Sequence, residues 1–477
     1  MFARAMRRAV LLAALMATSS SIVSSAPPPA AWPGFRGPDM SGLAPAAKLP
    51  DTWSKTEHVK WVIEVPGNGW SSPVVAGDTV FLTSAMSANT PKKGDTGIYG
   101  NDYIAEMRAQ GVPNAEINAR VRARDIEIPS ESGDVRYIVY AFDATTGKMT
   151  WEREAFKGAP SGGRHRKNTF ASETPFTDGE RLYAYFGENV GLFCYTLDGT
   201  LLWKRSWPPQ PIYLDFGTGS SPVAHDGRVY LVQDSEKECF LTALDAKTGA
   251  EIWRVTRPDR GSFTRTSSWA TPLIWKNSKR TEIITIGHGF VQSYGPDGKE
   301  LWRLNNTYMP LASPLAVGDV LYAGTGAQEG EGRRPFFAIK AGASGDITLP
   351  ADATSSEFVL WSHPRAAGYT PSAIVHQGRV YLVHDLGTML VLNAATGKEL
   401  YRARVGGVGH TFSASPIATS NRIYFPDEDG KTIVIEAADE YKEIAQNDLG
   451  EMTLASPAVA GDAMFFRTQR KLYRIQR

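Results

Sequence analysis

Residues 243–253 read ALDAKTGAEIW: an apolar pair, an Asp-x-x-Thr-Gly turn and, four positions after the glycine, a tryptophan. The phrase recurs along the chain with an aromatic residue at its end. The copies are AFDATTGKMTW at 141–151, YTLDGTLLW at 195–203, YGPDGKELW at 294–302 and LNAATGKELY at 392–401. Trp361 closes a further, degenerate copy and, by offset, Ile444 closes another. A phrase that returns at such intervals indicates a repeat architecture.

A second phrase lies between these copies: a small residue, Ser or Thr, usually Pro, an apolar pair, a turn, and then a run such as Val-Tyr-Leu. It occurs eight times. The hydroxyl residues are Ser72, Thr174, Ser221, Thr271, Ser313, Ser372, Ser415 and Ser456. Their spacing gives a unit of about 42 to 50 residues, lengthened at two places by insertions.

Each unit contains four short alternating runs separated by Asp-Gly or Thr-Gly turns, which is typical of a four-stranded antiparallel meander. One twisted sheet of this size cannot bury both faces alone, so such units indicate a β-propeller. We expect the Ser-Pro phrase on the innermost strand, whose channel-facing edge needs no partner for a missing N–H. We expect the closing aromatic between neighbouring blades.

The ends of the repeat predict how the ring closes. Residues 59–65, VKWVIEV, resemble a fourth strand with Trp61 as its aromatic, and the chain ends in LYRIQR, a third strand without a fourth. The N-terminal strand therefore completes the last blade and removes two open edges. The prediction is an all-β fold, an eight-bladed propeller of four-stranded antiparallel blades, over residues 58–477.

Two insertions interrupt the repeat. Residues 87–135 carry two short helical patterns broken at Pro113, and we expect them between the second and third strands of blade 1, as a lid, a docking surface or a passive excursion. Residues 327–358 are rich in glycine and polar residues and form the expected insertion in blade 5.

The N-terminus and the charge indicate a compartment. Residues 1–26 combine three arginines, a short apolar run and small residues, the pattern of a secretory signal peptide, and residues 27–57 then form an arm. We therefore expect a periplasmic or secreted protein with no transmembrane segment in the mature chain. A formal net charge of +1 gives no cationic excess for nucleic acid.

Cys194 and Cys239 are the only cysteines, which excludes CxxCH haem attachment and a cysteine-rich zinc site. The repeat places them on equivalent strands of neighbouring blades. They form either two buried free thiols, the favoured interpretation, or one disulfide.

The repeat resembles the pyrroloquinoline-quinone (PQQ) repeat family, whose signature is Ala-Leu-Asp-x-x-Thr-Gly-x-x-x-Trp. The stretches WPGFRGP, GWSSPV, HRKNTFASETP and GASGDI look like those of exported bacterial PQQ-binding-like propellers. The resemblance implies kinship with the BamB-like outer-membrane assembly propeller and with quinoprotein dehydrogenases. The chain lacks the vicinal cysteines of those dehydrogenases and a cysteine that export processing would lipidate. The repeat motif itself is structural, so it implies the fold more strongly than a function.

In a propeller, the loops that enter the innermost strands and the loops between second and third strands share one face, the rim of the channel. This predicts a ligand-binding rim of aromatic, cationic and histidine side chains, or a rim with no dedicated ligand. The candidates are Trp70, His165, Arg166, Lys167, Asn168, Tyr213, Asp215, Arg265, Trp269, His288, Tyr308, His384 and His410. Glu188, Asp234, Tyr369 and Asp385 are further rim residues.

Two of these stretches have alternative interpretations. The basic loop at 164–168 is either an anion contact or a solvated loop. Asp427 and Asp429 are arranged as in a calcium loop, but the stretch lacks the closing glutamate, which favours an Asp-Gly hairpin. The four histidines belong to separate blades, so no metal is expected.

Three functions fit these observations. The favoured one is a non-catalytic binding or assembly scaffold of the bacterial cell envelope, with a protein or glycan partner and no cofactor. The alternative is a PQQ-dependent oxidoreductase acting on alcohols or sugars, which would bind PQQ with calcium. The third is a polysaccharide-acting enzyme that uses a rim histidine and tyrosine; catalytic residues are not identified.

Overall fold

A computed structural model describes residues 32–87, 107–113, 115–117, 119–120, 133–160, 162–165, 167–187, 190–257, 266–305, 307–326 and 333–477. Its strands form eight antiparallel sheets of four strands, one of which carries an added fifth strand. The sheets follow one another as the blades of an eight-bladed β-propeller, which confirms the predicted fold class. The signal peptide expected at 1–26 lies outside the described residues.

The blades are numbered in chain order, and each runs from its innermost to its outermost strand. Blade 1 comprises β2 (Val74–Ala76), β3 (Thr79–Ser87), β4 (Val135–Asp143) and β5 (Met149–Gly158). Blade 2 comprises β6 (Phe176–Thr177), β7 (Arg181–Tyr185), β8 (Leu192–Thr196) and β9 (Leu201–Arg205). Blade 3 comprises β10 (Val223–His225), β11 (Arg228–Asp234), β12 (Cys239–Asp245) and β13 (Glu251–Thr256). Blade 4 comprises β14 (Leu273–Lys276), β15 (Thr281–Gly287), β16 (Phe290–Tyr294) and β17 (Glu300–Asn305).

The second half of the ring has the same organisation. Blade 5 comprises β18 (Leu315–Val317), β19 (Val320–Gly324), β20 (Phe336–Lys340) and β22 (Val359–His363), with β21 (Gly345–Asp346) attached to blade 4. Blade 6 comprises β23 (Ile374–His376), β24 (Arg379–Val383), β25 (Thr388–Asn393) and β26 (Glu399–Arg404). Blade 7 comprises β27 (Ile417–Ala418), β28 (Arg422–Pro426), β29 (Lys431–Glu436) and β30 (Glu443–Asp448). Blade 8 comprises β31 (Ala458–Ala460), β32 (Ala463–Arg467), β33 (Lys471–Ile475) and β1 (Val59–Glu64).

The N-terminal strand closes the ring, as predicted. β1 pairs antiparallel with β33, from Val59 opposite Ile475 to Glu64 opposite Lys471. Blade 8 is thus built from both ends of the repeat, and every blade has its four strands.

The closing aromatic follows a bulge between the third and fourth strands. In blade 3, Trp253 lies opposite Ala243 and the preceding residue, Ile252, bulges out of register. In blade 7 the equivalent partner of Val434 is Ala445. The assignment of Ile444 to the closing position was therefore wrong by one residue, because the turn between β29 and β30 is one residue longer than the turn between β12 and β13.

The closing tryptophans fill the wedges between blades. Trp151 donates its Nε1–H to the carbonyl of Leu197 in blade 2 at 3.0 Å, and its ring lies against the turn glycine Gly199. Blade 4 differs, because Trp302 donates to the buried carboxylate of Glu282 in its own blade. The core consists of such inter-blade contacts, which is why second and third strands are buried on both faces.

The hydroxyl residue recurs at the same position of each repeat because it joins neighbouring blades. The backbone N–H at seven of the eight positions donates to the hydroxyl of the next blade, over 2.9–3.1 Å. The eight side chains form what we call the hydroxyl belt: Ser72, Thr174, Ser221, Thr271, Ser313, Ser372, Ser415 and Ser456. The belt encircles the channel where the innermost strands begin.

The seam between blades 8 and 1 is joined differently. Within the described part of the chain, no such bond runs from Ser456 to Ser72. Instead Arg467, at the end of β32, donates to the hydroxyl of Ser71 at 2.6 Å and to the carbonyl of Thr83 at 2.7 Å. Burial lowers the pKa of Arg467 to about 9.

The N-terminal arm closes the other end of the channel. Trp32 exchanges backbone hydrogen bonds with Val75, and Ala418 is bonded on both sides, by Gly42 and Ala44. The arm therefore pairs with the channel-facing edges of β2 and β27, the innermost strands of blades 1 and 7, on the side of the channel opposite the rim. It then leaves between blades 7 and 8, where Asp51 forms an ion pair with Arg422.

The first insertion occupies the loop between the second and third strands of blade 1, and the second is divided between two loops of blade 5. Residues 87–135 join β3 to β4, as expected, and helical residues are described at 107–109, 115–117 and 119–120. Residues 327–358 are not one insertion, because the apolar stretch 336–340 forms β20 of blade 5. After β20, β21 pairs in parallel with β17 and covers the outer edge of blade 4.

Both cysteines are free thiols, on the third strands of blades 2 and 3. Cys194 is buried and Cys239 is partly buried. Of the helical segments in the described ranges, none is long and apolar enough to cross a membrane.

Candidate functional site

The loops expected on the rim meet on one face of the ring. The loop that enters blade 7 contacts two of the loops between second and third strands: the N–H of Phe412 donates to the carbonyl of Asp385, and the N–H of Glu428 donates to the carbonyl of Thr411, both at 2.9 Å. These contacts bring residues far apart in sequence around the mouth of the channel.

Aromatic and amide side chains of the loops entering blades 2, 3 and 4 pack together around Phe216. The His165 ring lies edge-on to Phe216 at 4.6 Å, and Tyr213 and Trp269 pack on it at 5.7 and 6.5 Å between ring centroids. Asn168 donates to the carbonyls of Phe216 and Thr218, both at 2.8 Å. Sequence reasoning found four members of this rim cluster but missed Phe216, which a lone aromatic in a turn-rich loop does not reveal.

The hydrogen bonds of the cluster fix its shape. Trp269 donates its Nε1–H to the carbonyl of Gly217 at 2.7 Å, and the N–H of Tyr213 donates to the hydroxyl of Ser267 at 2.9 Å. The indole N–H and the Asn168 amide are therefore committed to neighbouring loops. All four aromatic rings of the cluster are half-buried.

The other candidates of this side lie around the cluster. Asp215 is exposed and has a positive φ of 54°. Trp70 and Tyr308 are half-buried, and their backbone N–H groups donate to the carbonyl of Ala171 and the hydroxyl of Thr325. Three other rim residues lie outside the described residues: Arg166, Glu188 and Arg265.

His410 forms a buried pair with Asp427 across the loops of blade 7. Its Nδ1 lies 2.6 Å from Oδ2 of Asp427. The other carboxylate oxygen accepts the backbone N–H of Lys431 at 2.7 Å and of Asp429 at 3.0 Å. These bonds confirm an Asp-Gly hairpin, and they use the oxygens that a calcium loop would need.

Lys167 and Glu428 meet above the channel mouth. The Lys167 ammonium lies 2.7 Å from Oε1 of Glu428, although the two residues belong to loops of blades 2 and 7. The same oxygen accepts the hydroxyl proton of Ser413 at 2.5 Å, while Oε2 of Glu428 is buried without a partner. Sequence reasoning named Lys167 but not Glu428, because only the closed ring brings the two together.

The remaining histidines take separate positions. His384 is buried between Arg334, whose Nη1 lies 3.1 Å from Nδ1, and the carbonyl of Ala366, 3.1 Å from Nε2. His288 is buried in the turn between β15 and β16. The candidate histidines thus face different partners and do not converge.

A small cleft with a volume of about 10 Å³, room for about one water molecule, lies between blades 2 and 3, beside a buried ion pair of Asp234 and Arg257. Ser268 donates to the Asp234 carboxylate at 2.5 Å, and Gln233 donates to the Tyr185 hydroxyl at 3.1 Å. The cleft is smaller than the usual range of about 300–1,000 Å³ for small-molecule sites. Arg257 was not among the residues predicted from the sequence, and it neutralises Asp234, the predicted rim residue that lines this cleft.

The described residues do not fit a calcium-bound PQQ. Calcium requires six to eight oxygen ligands, and the described residues contain no group of three or more His, Cys, Asp or Glu that could share an ion. The buried carboxylates of the mouth already contact cations, since Asp234 pairs with Arg257 and Glu428 with Lys167. At either carboxylate, a metal ion would have to displace the cation already paired with it.

Comparison with protein families gives a match to the family described as outer membrane protein assembly factor BamB, over residues 135–285 and 287–476. Two curated proteins are similar over part of the chain. One is the serine/threonine-protein kinase AfsK of Streptomyces griseus, 28% identical over 200 residues, which cover 42% of this chain and 17% of the kinase. The other is a tetrathionate hydrolase of Acidithiobacillus ferrooxidans, 25% identical over 288 residues, which cover 52% of each chain. The chain therefore spans at most about half the length of these relatives.

Among solved structures, the quinohemoprotein alcohol dehydrogenase of Comamonas testosteroni superposes with a TM-score of 0.54 at 13% identity. The match covers 95% of this chain and 81% of the dehydrogenase. At that identity the likeness establishes a shared fold and no more.

Proposed function

Because this chain belongs to the family of PQQ-repeat propellers described as outer membrane protein assembly factor BamB, we propose that it is a non-catalytic binding scaffold of the bacterial cell envelope. The scaffold would be periplasmic or secreted after removal of residues 1–26. A propeller suits this role because its rigid ring presents many loops on one face.

One observation carries the proposal: two described loops of the rim expose large apolar side chains. Val408 and Leu214 are 88% and 67% exposed, the largest fractions among the exposed large hydrophobic residues of the described chain. Both belong to loops that enter innermost strands, of blades 7 and 3. Single exposed apolar residues are common on protein surfaces, so the proposal depends on the position of this pair at two loop tips beside the channel mouth.

The backbone holds these two side chains outward. Val408 lies between Gly407 and Gly409, which have φ of 92° and 101°, and Leu214 itself has φ of 48°. Left-handed backbone at a non-glycine residue costs free energy, and it is found where a loop has a function. Blades 3 and 7 are opposite in an eight-membered ring, so the two tips flank the mouth on both sides.

The chemistry of the tips favours a protein partner over a glycan. A glycan needs stacking rings and free hydrogen-bonding groups, whereas Val408 and Leu214 offer only apolar surface. The rim aromatics are half-buried in the cluster around Phe216. We therefore assign the two tips as anchors for an envelope protein.

The test is affinity capture from an envelope extract with the wild-type protein and with the double variant Leu214→Asp, Val408→Asp. A matched control is Leu202→Asp, Ile252→Asp, since both residues are 45% exposed but lie on outermost strands β9 and β13. We expect one protein to be recovered with the wild type and the control and lost with the rim variant. Equal recovery with all three proteins, or no specific protein in repeated captures, would contradict the proposal.

The oxidoreductase alternative has a direct test of its own. Titration of PQQ with calcium, followed by tryptophan fluorescence and by dye reduction with alcohols or sugars, is expected to show no binding at micromolar PQQ. Saturable binding together with dye reduction would replace the scaffold by a PQQ-dependent dehydrogenase. A polysaccharide-acting enzyme that uses a rim histidine would lose activity on a candidate glycan when His410 is replaced.

A further inference from the structure

The WPGFRGP stretch of the arm places a charged side chain in the middle of the propeller. Arg36 is 1% exposed, and its Nη2 donates to the carbonyl of Ala373 at 2.5 Å and of Ser41 at 3.2 Å. Its Nε and Nη1 have no hydrogen-bond partner. Of the described carboxylates, none forms an ion pair with Arg36. A buried cation without a counter-charge is costly, so native structures pair such groups.

The position of Arg36 relative to the belt follows from its hydrogen bond. Ala373 comes directly after Ser372, a member of the hydroxyl belt. The arm closes the far end of the channel, and the Arg36 guanidinium therefore reaches from that floor to within one residue of the belt.

The belt itself offers donors. Seven of its hydroxyl oxygens accept a backbone N–H from the preceding blade. In the part of the chain that the structure describes, none of the eight belt hydroxyls donates its own proton to an acceptor. A ring of hydroxyl groups around the axis, with a partly unpaired guanidinium below it, supplies hydrogen-bond donors for a ligand.

We propose that Arg36 and the hydroxyl belt form an axial binding site for a small monovalent anion of halide size. The anion supplies the missing counter-charge for Arg36 and accepts hydrogen bonds from its two unpaired N–H groups and from the nearest belt hydroxyls. The belt then has a ligand-binding role in addition to its role in joining the blades.

The positive charge of Arg36 requires an anion as the ligand. A water molecule would accept hydrogen bonds but leave the charge of Arg36 uncompensated. Burial lowers the pKa of Arg36 to about 9, which still leaves the side chain protonated at neutral pH. The arm carries Arg36 on one side of the site and the belt lies on the other, and a halide is the simplest monovalent anion that would supply the counter-charge.

The first test is thermal unfolding of the whole protein in sodium salts at constant ionic strength. Chloride and bromide are expected to raise the melting temperature by about 2–4 °C over gluconate, a much larger anion that serves as the non-binding reference. Acetate is expected to leave the melting temperature as in gluconate; a rise as large as that with chloride would identify a carboxylate site and contradict the halide assignment. The rise is expected to disappear in Arg36→Gln and to persist in Arg402→Gln, a matched control on the exposed face of β26. Equal melting temperatures in all salts would refute the site.

The second test does not require a variant to fold. In crystals of the wild-type protein soaked in sodium bromide, the anomalous difference map is expected to show a bromide on the channel axis, beside Arg36. A map with bromide only at surface positions would overturn the proposal. Should Arg36→Gln fail to fold, the double variant Ser372→Ala, Ser415→Ala is expected to weaken the halide effect on the melting temperature.

Discussion

The indole ring of Trp203 in blade 2 lies against Gly249 in blade 3, and its Nε1–H donates to the carbonyl of Ala246 at 3.1 Å. The glycine and the tryptophan of the repeat phrase thus serve different interfaces: the glycine of one blade receives the tryptophan of the blade before. The same contact joins four more pairs: Trp61 with Gly147, Trp151 with Gly199, Trp253 with Gly298, and Trp361 with Gly397.

Gly249→Ala is expected to destabilise the propeller by about 2–4 kcal/mol. A methyl group at this position would lie 2.6 Å from the Trp203 ring, and the residue has φ of 69°. Both overpacking and left-handed backbone cost free energy. The matched control is Gly227→Ala, because Gly227 has φ of 68° with nothing within 4 Å of the added methyl. Urea unfolding of the two variants separates the cost of overpacking from the cost of the left-handed backbone. Equal losses of unfolding free energy would show that the contact with Trp203 adds no cost.

Ser221→Ala is expected to lower the free energy of unfolding by about 1–3 kcal/mol. The change removes the hydroxyl that accepts the N–H of Thr174 at 2.9 Å and leaves that buried donor without a partner. Ser221→Thr keeps the hydroxyl, as Thr271 does in the belt, and is expected to retain most of the stability. Urea midpoints measure both; a Ser221→Ala protein as stable as the wild type would show that the belt does not hold the blades together.

Lys167→Met is expected to destabilise the protein by about 2–3 kcal/mol, because it leaves the buried Glu428 carboxylate with less compensation. This figure is reduced from the usual value for a buried pair, since Lys167 is partly exposed. Lys299→Met, which breaks the exposed pair with Asp297, is the control and is expected to cost less than about 1 kcal/mol. In the double variant Lys167→Met, Glu428→Gln, part of the loss is expected to return. Additive losses would show that the two side chains are not coupled.

The thiols are expected to react differently. Burial raises the pKa of Cys194 to about 12, so this thiol stays protonated and inaccessible at neutral pH. A native thiol titration at pH 8 is expected to modify Cys239 before Cys194, and a titration in urea without reductant is expected to find two thiols. No titratable thiol in urea would show a disulfide instead.

The raised pKa of Cys194 also sets a pH dependence. The unfolded chain releases this proton near pH 8.5, whereas the folded chain keeps it, so the unfolded state gains stability as pH rises above about 8.5. The free energy of unfolding is expected to fall by up to about 1.4 kcal/mol per pH unit from this group. Comparison with Cys194→Ala isolates the contribution of this thiol. If the free energy of unfolding changes equally with pH in the two proteins between pH 8.5 and 9.5, the raised pKa of Cys194 is contradicted.

The fold could be predicted because its determinants are local and repeated. The turn glycines, the closing aromatics and the belt hydroxyls recur at fixed positions, and each copy supports the others. The register of blade 7 was missed, since Ala445 replaces the aromatic that marks the bulge elsewhere. The strand β20 was missed because the polar residues on both sides of it hide the repeat.

The candidate site was predicted less well, for a physical reason. The rim candidates were chosen by loop position, which found Lys167 and His410 but not their partners Glu428, Ser413 and Asp427 as a group. Lys167 and Glu428 lie 261 residues apart, and His410 and Asp427 lie 17 apart in two different loops. Periodicity contains no information on either pairing. Arg36 was quoted within a motif but gained a role only when the arm was seen to cross the channel.

The pairing of β1 with β33 has a consequence for how the protein reaches its native state. The first strand must wait, unpaired, until the last one is available, so pairing them carries the entropy cost of closing a long loop, which grows with the logarithm of loop length. A circular permutant that joins the two ends and opens the chain between blades would turn this last, distant contact into a local hairpin. Its refolding rate relative to the natural order would measure how much of the folding barrier is set by closing the circle.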